Sequence, residues 1–596
     1  MTALEVQHPS LSAHETTTYD QQVFLIWTAA LTLLLGVIWP IGVGVVVFGV
    51  ITVVYAAATY YRLQCIRYGL RAESVLHVSD ARAHAISDRD LPRYTLLVPA
   101  YKEPEVIRTL VTALDELDYP AAKLEVLILL EADDPETLEA VRAASPSASI
   151  KVVVVPEGEV TTKPRACNYG LQLATGELVT IFDAEDIPEP LQLRRAAIAF
   201  ADAGPQTVCL QARLTYYNAD QNIITRWFAA EYLTWFNHVL PGLTALGSPI
   251  PLGGTSNHIR TDVLRGVGGW DPYNVTEDAD LGVRLARLGH TVGVLDSLTA
   301  EEANSDFINW VKQRSRWYKG YLQTWLVHMR HPRQLRREVG WRGLAGLNLF
   351  IGGTPLLSLI NPLMWGLTLL WFLGHPHIIE QLFPAPISYV ALLTWVVGNI
   401  AVIYGGLVSI REVRREELWA SALLVPAYWV MMALAATKAM VQLVRNPSFW
   451  EKTTHGLHMA DGPAAQPPLL IAVPSSPVSA KAAPGMLRPS AGALTTLTAF
   501  TSVPAPPAAP AAAPLRVLTP LPLPAPAPSP DEPVAVRRAE PARQRLTALP
   551  TAQRLRAPGP DRQLDSTSPQ KKEAASGAPA NGLERLRRPA KTSADG

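Results

Sequence analysis

A long, almost unbroken apolar segment near the N-terminus limits what this chain can fold into. It runs from Val23 to Tyr60 and is interrupted at Trp39-Pro40. Two membrane crossings of about 18 residues each would fit, close to the lower limit for a spanning helix. We therefore predict two transmembrane helices joined as a proline-containing hairpin over residues 23–60, with one long kinked helix as the alternative. The segment is followed by basic residues, which place the next domain on the cytoplasmic side: Arg62, Arg67 and Arg71.

The composition fits a polytopic membrane protein. Apolar residues make up 48% of the chain and charged residues only 17%, a low share for a soluble protein. The net charge is zero, which argues against bulk nucleic-acid binding. Cys65, Cys167 and Cys209 are scattered without metal-ligand spacing, so a reducing compartment is expected. Residues 1–22 are polar, lack the positive stretch of a signal peptide, and predict a loose N-terminal tail.

Residues 80–335 have the pattern of an α/β domain. Short runs rich in Val, Ile and Leu alternate with helical patterns, as expected of strands buried on both faces of a mostly parallel sheet. Four strands are predicted: Tyr94–Val98, Leu124–Leu130, Lys151–Val155 and Leu178–Phe182.

Polar residues cluster where three of these predicted strands end. The clusters are Tyr101-Lys102-Glu103, residues 131–134 (Glu-Ala-Asp-Asp) and residues 183–186 (Asp-Ala-Glu-Asp). In open α/β sheets, ligands bind outside the carboxyl ends of the strands. The pattern therefore predicts a nucleotide site at this edge of the sheet.

Three more apolar stretches lie within residues 340–445: Leu347–Gly374, Ile387–Ile410 and Leu418–Val444. The connection 411–417 holds three arginines and is expected to be cytoplasmic. Pro426 either splits the last stretch into a short re-entrant hairpin or lies within a single crossing.

The last part of the chain has a different composition. Residues 461–596 are rich in Pro and Ala and then in Arg, without apolar periodicity. Such a segment cannot bury a core, so we predict a disordered tail.

A QxxRW pentapeptide, residues 313–317, precedes the later apolar stretches. The Arg316 guanidinium can make paired hydrogen bonds to a diphosphate. The Trp317 indole offers a flat face on which a sugar ring can stack. The alternative is an interfacial helix, because Trp, Tyr and Arg all favour the lipid headgroup level.

Together these motifs resemble the membrane-integrated family 2 glycosyltransferases, which include cellulose, hyaluronan and chitin synthases. The resemblance covers about Val23 to Gly456. Residues 130–134 and 450–453 look like an exopolysaccharide branch and not a close match to cellulose synthase. The resemblance implies an α/β GT-A (Rossmann-like) catalytic domain inserted between transmembrane α-helices.

The resemblance assigns the donor-binding residues. Asp183 and Glu185 occupy the place of the family's DxD motif, which implies a bound Mg²⁺ or Mn²⁺, with Asp186 as a substitute ligand. Lys163 lies in a loop like the one that contacts the nucleotide sugar. Glu131 stands where the family contacts uridine, although an Asp is more usual there and Asp133 or Asp134 are alternatives.

Two further loops carry expected contacts with substrate. Tyr101 and Glu103 fit the loop that holds the base, and core packing is the alternative for Tyr101. Gly254 and Thr255 lie in the place of the acceptor-site loop.

The catalytic residues follow from the same resemblance. Thr276-Glu277-Asp278 matches the TED motif, with Asp278 as the general base and Glu277 beside it; helix capping is the alternative. In QxxRW, Gln313 orients its neighbours, Arg316 stabilises departing UDP and Trp317 stacks the acceptor. Residues 446–460 resemble a gating loop, with expected contacts from Phe449, Thr453 and His455.

The expected function is that of a processive inverting glycosyltransferase. It would polymerise a UDP-sugar, UDP-glucose first and UDP-N-acetylglucosamine next, into a β-linked exopolysaccharide and translocate it. The alternative is a non-processive glucosyltransferase that makes a glycolipid. Expected partners are the UDP-sugar donor, the growing glycan acceptor, the lipid bilayer and export proteins, with no nucleic acid. The expected location is the bacterial inner membrane, with the catalytic domain in the cytoplasm.

Overall fold

A computed structural model of the chain describes residues 2–71, 74–144 and 149–453. The predicted disordered tail and the end of the gating-loop-like segment lie outside these residues. The strands are β1 Val75–Leu76, β2 Tyr94–Ala100, β3 Leu124–Glu131, β4 Ile150–Val155, β5 Leu178–Ile181, β6 Ile187–Pro188, β7 Thr207–Tyr216, β8 Asn257–Arg260 and β9 Thr291–Glu301. All four strands predicted from the sequence are present, with ends that differ by at most two residues.

The first twelve helices include most of those that surround the sheet. They are α1 Ala3–Gln7, α2 Tyr19–Ile38, α3 Pro40–Gly69, α4 Asp80–Ala85, α5 Ile107–Asp115, α6 Pro135–Ala143, α7 Lys163–Leu173, α8 Gln192–Ala203, α9 Ile223–Thr234, α10 Leu240–Ala245, α11 Thr261–Gly266 and α12 Glu277–Arg287.

The later helices carry the pentapeptide and the C-terminal apolar stretches. They are α13 Phe307–His328, α14 Pro332–Gly346, α15 Gly353–Gly374, α16 His377–Leu382, α17 Ala385–Leu393, α18 Asn399–Glu412, α19 Trp419–Leu423 and α20 Val425–Arg445. π-Helical turns at Trp235–Val239, Leu347–Gly352 and Thr394–Gly398 connect α9 to α10, α14 to α15 and α17 to α18.

The strands form one mixed sheet. Their order is β1-β9-β7-β8-β5-β2-β3-β4, with β6 paired to β9. Strands β5, β2, β3 and β4 are parallel, whereas β8 runs antiparallel to both β5 and β7. The carboxyl ends of β2, β3 and β5 therefore lie side by side, which brings the three polar clusters together.

The central strands are buried on both faces. Leu96 belongs to one buried apolar cluster, to which α8 contributes, and the adjacent Leu97 belongs to another, to which α12 contributes. Alternate residues of a strand point to opposite faces, so both sets of side chains are buried. This explains why the strands are continuous apolar runs in the sequence.

Among the residues that the structure describes, five helical segments are long and apolar enough to cross a membrane: Tyr19–Ile38, Pro40–Gly69, Pro332–Gly374, Ala385–Glu412 and Val425–Arg445. The first two are separate helices, because Trp39 between them has a non-helical backbone (φ −142°, ψ 69°). Pro40 then opens α3 at a position where a proline is tolerated.

Helix α20 contacts the catalytic domain at both of its ends. Near its start the Tyr428 hydroxyl donates a hydrogen bond to Glu231 of α9 (2.8 Å). Beyond its end the carbonyl of Phe449 accepts from Lys319 of α13 (2.6 Å). A spanning helix would carry its far end across about 30 Å of hydrocarbon, away from that domain. We conclude that α20 lies along the domain and does not cross the membrane.

The re-entrant hairpin, one of the two alternatives for the last apolar stretch, is not formed. Pro426 lies in the first turn of α20, where a missing backbone N–H costs nothing, so it starts a helix and does not split one. The remaining four apolar segments are an even number, which leaves residues 446–453 on the same side as the catalytic domain.

The N-terminal residues are folded, in contrast to the loose tail expected. Leu4 and Ala13 are fully buried, and the Ala13 N–H donates to Asp271 (2.5 Å). The Arg330 side chain binds three backbone carbonyls of this segment. The polar composition wrongly predicted a loose tail, because much of this packing uses backbone groups.

Single cysteines test the position of α20. Asn446→Cys should react with a membrane-impermeant maleimide from the same side as Glu105→Cys in the catalytic domain. His377→Cys, between α15 and α17, should react only from the opposite side. The three native cysteines are buried and should stay silent. If Asn446→Cys reacts together with His377→Cys, α20 crosses the membrane.

Candidate active site

One cavity lies at the carboxyl ends of the central strands and collects nearly all the residues expected at the site. The expected residues that line it are Tyr101, Glu103, Glu131, Lys163, Asp183, Glu185, Gly254, Thr255, Glu277, Asp278, Gln313, Arg316, Trp317 and Thr453. Residues far apart in the sequence meet because the parallel strands end at one edge of the sheet.

The expected gating residues are distributed differently. Thr453 is buried in the cavity wall, but the Phe449 side chain is 55% exposed and does not line the cavity. His455 lies outside the described residues. Trp450 lines the cavity instead, with its ring centre 4.7 Å from the Arg316 guanidinium carbon.

Lys163 joins two loops of the site. It begins α7, forms an ion pair with Asp183 after β5, and donates to the carbonyl of Gly254 (2.8 Å). Asp186, the alternative metal ligand, is buried: its carboxylate accepts from the Asp183 N–H (2.6 Å) and from the Thr255 hydroxyl. Asp186 thus holds the turn in shape, while Asp183 and Glu185 line the cavity.

The second polar cluster separates into three environments. Glu131 lines the cavity and accepts two hydrogen bonds from Arg165 (3.0 and 3.2 Å). Asp134 caps α6 by accepting from the Thr137 N–H (3.1 Å). Asp133 accepts from the Tyr101 hydroxyl (2.9 Å). Of the three carboxylates, Glu131 is therefore the one positioned to contact a ligand.

Glu277 and Asp278 form an acidic pair at the start of α12, in which Glu277 is buried and Asp278 is half-buried. Burial raises the pKa of both carboxyls; for Glu277 the adjacent Asp278 adds to the increase. Lys163 and Arg316 oppose this effect and favour the charged forms. Thr276 makes no side-chain capping bond to the helix, so the capping alternative does not explain the threonine.

Gly254 leaves room beside this acidic pair. A β-carbon at Gly254 would lie 3.5 Å from the Asp278 Oδ2 and 3.6 Å from the Lys163 Nζ. Without a side chain, the space between the loop and the carboxylate stays open. An acceptor hydroxyl could approach Asp278 through that space.

The pentapeptide lies on α13, and its three expected residues face one side of the helix. Gln313, Arg316 and Trp317 are spaced i, i+3 and i+4, which places them on one helical face, and all three line the cavity. Burial lowers the pKa of Arg316, while Glu277 and Asp278 stabilise its charge. The guanidinium is thus held beside the acidic pair.

Comparison with known proteins identifies the domain that carries this site. Residues 92–320 match the family model described as "Glycosyltransferase like family 2". The chain contains a family 2 glycosyltransferase domain. The prediction of a GT-A domain flanked by apolar helices is confirmed.

Several curated relatives are similar to the glycosyltransferase domain and its surroundings. "Probable glycosyltransferase YdaM" of Bacillus subtilis is 25% identical over 39% of this chain and 56% of its own length, so the match spans about half of that relative. "Beta-monoglucosyldiacylglycerol synthase" of Synechocystis sp. is 29% identical over 62% of this chain and 76% of its own length. "Cellulose synthase 2" of Novacetimonas hansenii is 25% identical over 60% of this chain and 21% of its own length.

Among solved structures, the mannosyltransferase PcManGT from Pyrobaculum calidifontis, in complex with GDP-Man and Mn²⁺, is 21% identical. It covers 67% of this chain and 99% of its own, with a TM-score of 0.43.

The glycosyltransferase domain also has cavity residues that the sequence reasoning did not single out. Glu301 ends β9, and Arg314 pairs with Glu231 through two hydrogen bonds (2.5 and 2.9 Å) while packing on the Trp317 ring (4.7 Å). The strand-end rule would have found Glu301 if β9 had been predicted. Arg314 lies inside the QxxRW pentapeptide at a position where the motif allows any residue, so the motif did not single it out.

The cavity extends to the membrane helices. Arg62 of α3, Phe350 of the π-helical turn and Thr354 of α15 line its far end. The Arg62 guanidinium carbon is 5.8 Å from the Phe350 ring centre. The site is therefore lined by both the loops of the glycosyltransferase domain and the apolar helices.

The acidic residues at β5 fit a divalent cation. Burial, together with repulsion from neighbouring carboxylates such as Asp183, raises the pKa values of Asp186 and Glu301 well above the ordinary range. A cation at Asp183 and Glu185 would offset this repulsion through the oxygen ligands that Mg²⁺ and Mn²⁺ prefer. Within residues 2–71, 74–144 and 149–453, no group of three or more Asp, Glu, His or Cys side chains is placed to hold a metal ion by itself.

Asp278→Asn tests the general base. The substitution should slow glycosyl transfer by at least about a hundredfold while UDP binding changes little. Because burial raises its pKa, Asp278 is a carboxylate only above that raised value. As the pH decreases, activity should therefore be lost before the pH reaches about 3.9, the ordinary pKa of an aspartate. Near-normal turnover of Asp278→Asn would exclude the assignment.

Proposed function

We propose that the chain is a processive inverting glycosyltransferase that polymerises a UDP-sugar into a β-linked exopolysaccharide and moves it across the membrane. UDP-glucose is the first candidate donor and UDP-N-acetylglucosamine the second. The observation that carries this proposal is the continuity of the cavity from the donor loops at Tyr101 to Arg62 and Thr354 on the membrane helices. A product chain can leave along that path.

The donor is held by groups of opposite charge to its diphosphate and by a polar pocket for the base. Lys163 and Arg316 supply positive charge next to Asp183 and Asp278. Tyr101 and Glu131 line the other end, where the base would bind. Asp183 and Glu185 would hold Mg²⁺ or Mn²⁺, which supplies charge neutralisation to the diphosphate.

The proposed transfer inverts the configuration at the anomeric carbon. Asp278 takes the proton of the acceptor hydroxyl, which approaches through the space beside Gly254. The oxygen attacks the anomeric carbon from the face opposite UDP, so an α-linked donor gives a β-linked product. Arg316 stabilises the charge that develops on the departing diphosphate. Trp317 supports the terminal sugar of the acceptor.

Residues 449–453 are suited to act as a lid over the donor. Lys452 donates to the backbone carbonyls of Tyr101 and Lys102 and lies 3.7 Å from the Glu103 carboxylate. Trp450 stacks near Arg316 at the other end of the segment. A processive enzyme needs such a segment to open when UDP leaves and to close on new donor.

A glycolipid product is the second candidate. The Synechocystis relative named a β-monoglucosyldiacylglycerol synthase covers more of its own length than the cellulose synthase relative does. The membrane end of the cavity would also admit a lipid hydroxyl. We place either enzyme in the bacterial inner membrane with its catalytic domain in the cytoplasm, and we expect the polymerase to work with export proteins.

Metal removal tests the role of Asp183 and Glu185. Transfer should stop with EDTA and return with Mg²⁺ or Mn²⁺, because the carboxylates need a cation to bind a diphosphate. Asp183→Ala should not be rescued by added metal, whereas Asp133→Ala, outside the cavity wall, should respond as the wild type does. Full activity in EDTA would contradict the metal assignment.

Analysis of the radiolabelled product separates the two candidate functions. Purified membranes supplied with UDP-glucose should make a long product that a β-glucanase degrades and that chloroform–methanol does not extract. Trp317→Ala should lose this product, since the acceptor loses its support. If the label migrates as a lipid bearing one or two sugars, the glycolipid function replaces the polymerase.

A further inference from the structure

Residues 2–16 form a folded segment that packs against the loop leading into the catalytic base. We call this segment the strap and residues 268–276 the base loop. Leu4 is fully buried, and a β-carbon at Gly268 would lie 2.8 Å from the Leu4 Cα, so the two backbones are in direct contact. Gly268 also has φ +88°, a conformation that favours glycine.

The strap makes polar contacts at the middle of the base loop. The buried Asp271 carboxylate accepts from the Ala13 N–H (2.5 Å) and the Ser12 hydroxyl (3.4 Å). The Oδ1 atom that accepts from Ser12 also accepts from the Tyr273 N–H (3.1 Å) of its own loop. The His14 ring stacks on Tyr273 with centres 4.4 Å apart. Asp271 thus fixes the loop against the strap.

The base loop is also held by α13, which carries the pentapeptide. The Val275 N–H donates to the Gln323 amide oxygen (3.2 Å), and the Asn274 amide donates to the Thr324 hydroxyl (3.0 Å). The base loop therefore contacts both the strap and α13, which also pack on each other through Ala13 and Val327. Glu277 and Asp278 follow it directly.

The strap is anchored to the end of α13 and continues into the first membrane helix. Arg330 donates to the carbonyls of Ser10 (2.8 Å), Ser12 (3.0 Å) and Glu15. The Gln21 amide at the start of α2 donates to the Leu326 carbonyl (2.9 Å). The position of α2 in the membrane is thereby connected to the base loop.

We propose that the strap is a positioning element that holds the Asp278 carboxylate where it can accept the acceptor proton. This rests on the proposed function, in which Asp278 is the base. No residue of the strap lines the cavity, so its loss should affect the rate of transfer and not the binding of UDP. Small displacements of a reacting group are costly to rate, which gives the strap its effect.

The test compares the full chain with a variant that lacks residues 2–16, in the same membranes. The truncation should lower kcat for transfer from UDP-glucose at least about tenfold, with the donor KM and the UDP affinity changed less than about twofold. A synthetic peptide of residues 2–17 added in trans should restore kcat. An unchanged kcat, or UDP affinity that falls in parallel with kcat, would overturn the proposal.

If the chain that lacks residues 2–16 does not accumulate in the membrane, point variants of the full chain test the same proposal. Arg330→Gln removes the anchor of the strap, and Arg333→Gln, an exposed arginine three residues on, is the matched control. His14→Ala removes the ring stacked on Tyr273, with His8→Ala as its control. Arg330→Gln and His14→Ala should lower kcat without raising the donor KM. Equal effects of variants and controls would contradict a positioning role.

Hydrogen exchange separates failure of the strap from failure of the proposed function. In the Arg330→Gln chain, the backbone amides of residues 273–276 should exchange faster than in the full wild-type chain. This measurement needs no turnover, so it reports on the strap even if UDP-glucose is not the donor. Equal protection in both chains would show that the strap does not hold the base loop. Absence of transfer in the wild type would instead reject the donor assignment alone.

Discussion

The ion pair between Lys163 and Asp183 is the interaction on which the rest of the site depends. The ammonium joins the loop after β5 to the carbonyl of Gly254 and lies near the Glu277–Asp278 pair. Removing a buried cation from among carboxylates would leave uncompensated charge, which is among the costliest defects a protein interior can have. Lys163 therefore keeps the Asp183 and Gly254 loops together before any ligand binds.

Most of the sheet could be predicted because burial on both faces leaves a direct mark on the sequence. Strands β2 and β3 are continuous apolar runs, and their polar ends fall at one edge for topological reasons. The residues of the cavity wall followed from that edge and from the family motifs. The exposed position of the Phe449 side chain could not be predicted in this way. In a segment without regular structure, the direction of a side chain is set by tertiary contacts such as the one from Lys319.

Two segments could not be predicted, and both for physical reasons. The strap is polar in composition, but its contacts use backbone groups, which all residues share and which no side-chain pattern reports. Helix α20 has the length and apolarity of a spanning helix, because one face packs on the protein through small residues such as Ala435 and Ala439 while Leu434 and Val444 stay exposed. Only the contacts of Tyr428 and Phe449 distinguish the two cases.

The position of α20 also constrains the chemistry. Its first turns bind Glu231, which pairs with Arg314 under the Trp317 ring, and its last residue leads into the segment over Arg316. One helix thus adjoins both Trp317, which supports the acceptor, and residues 449–453, the proposed lid over the donor. If α20 crossed the bilayer, these two contacts would be about 30 Å apart on opposite sides and could not both serve one cavity. The contacts themselves therefore require a helix that stays on the side where the donor binds.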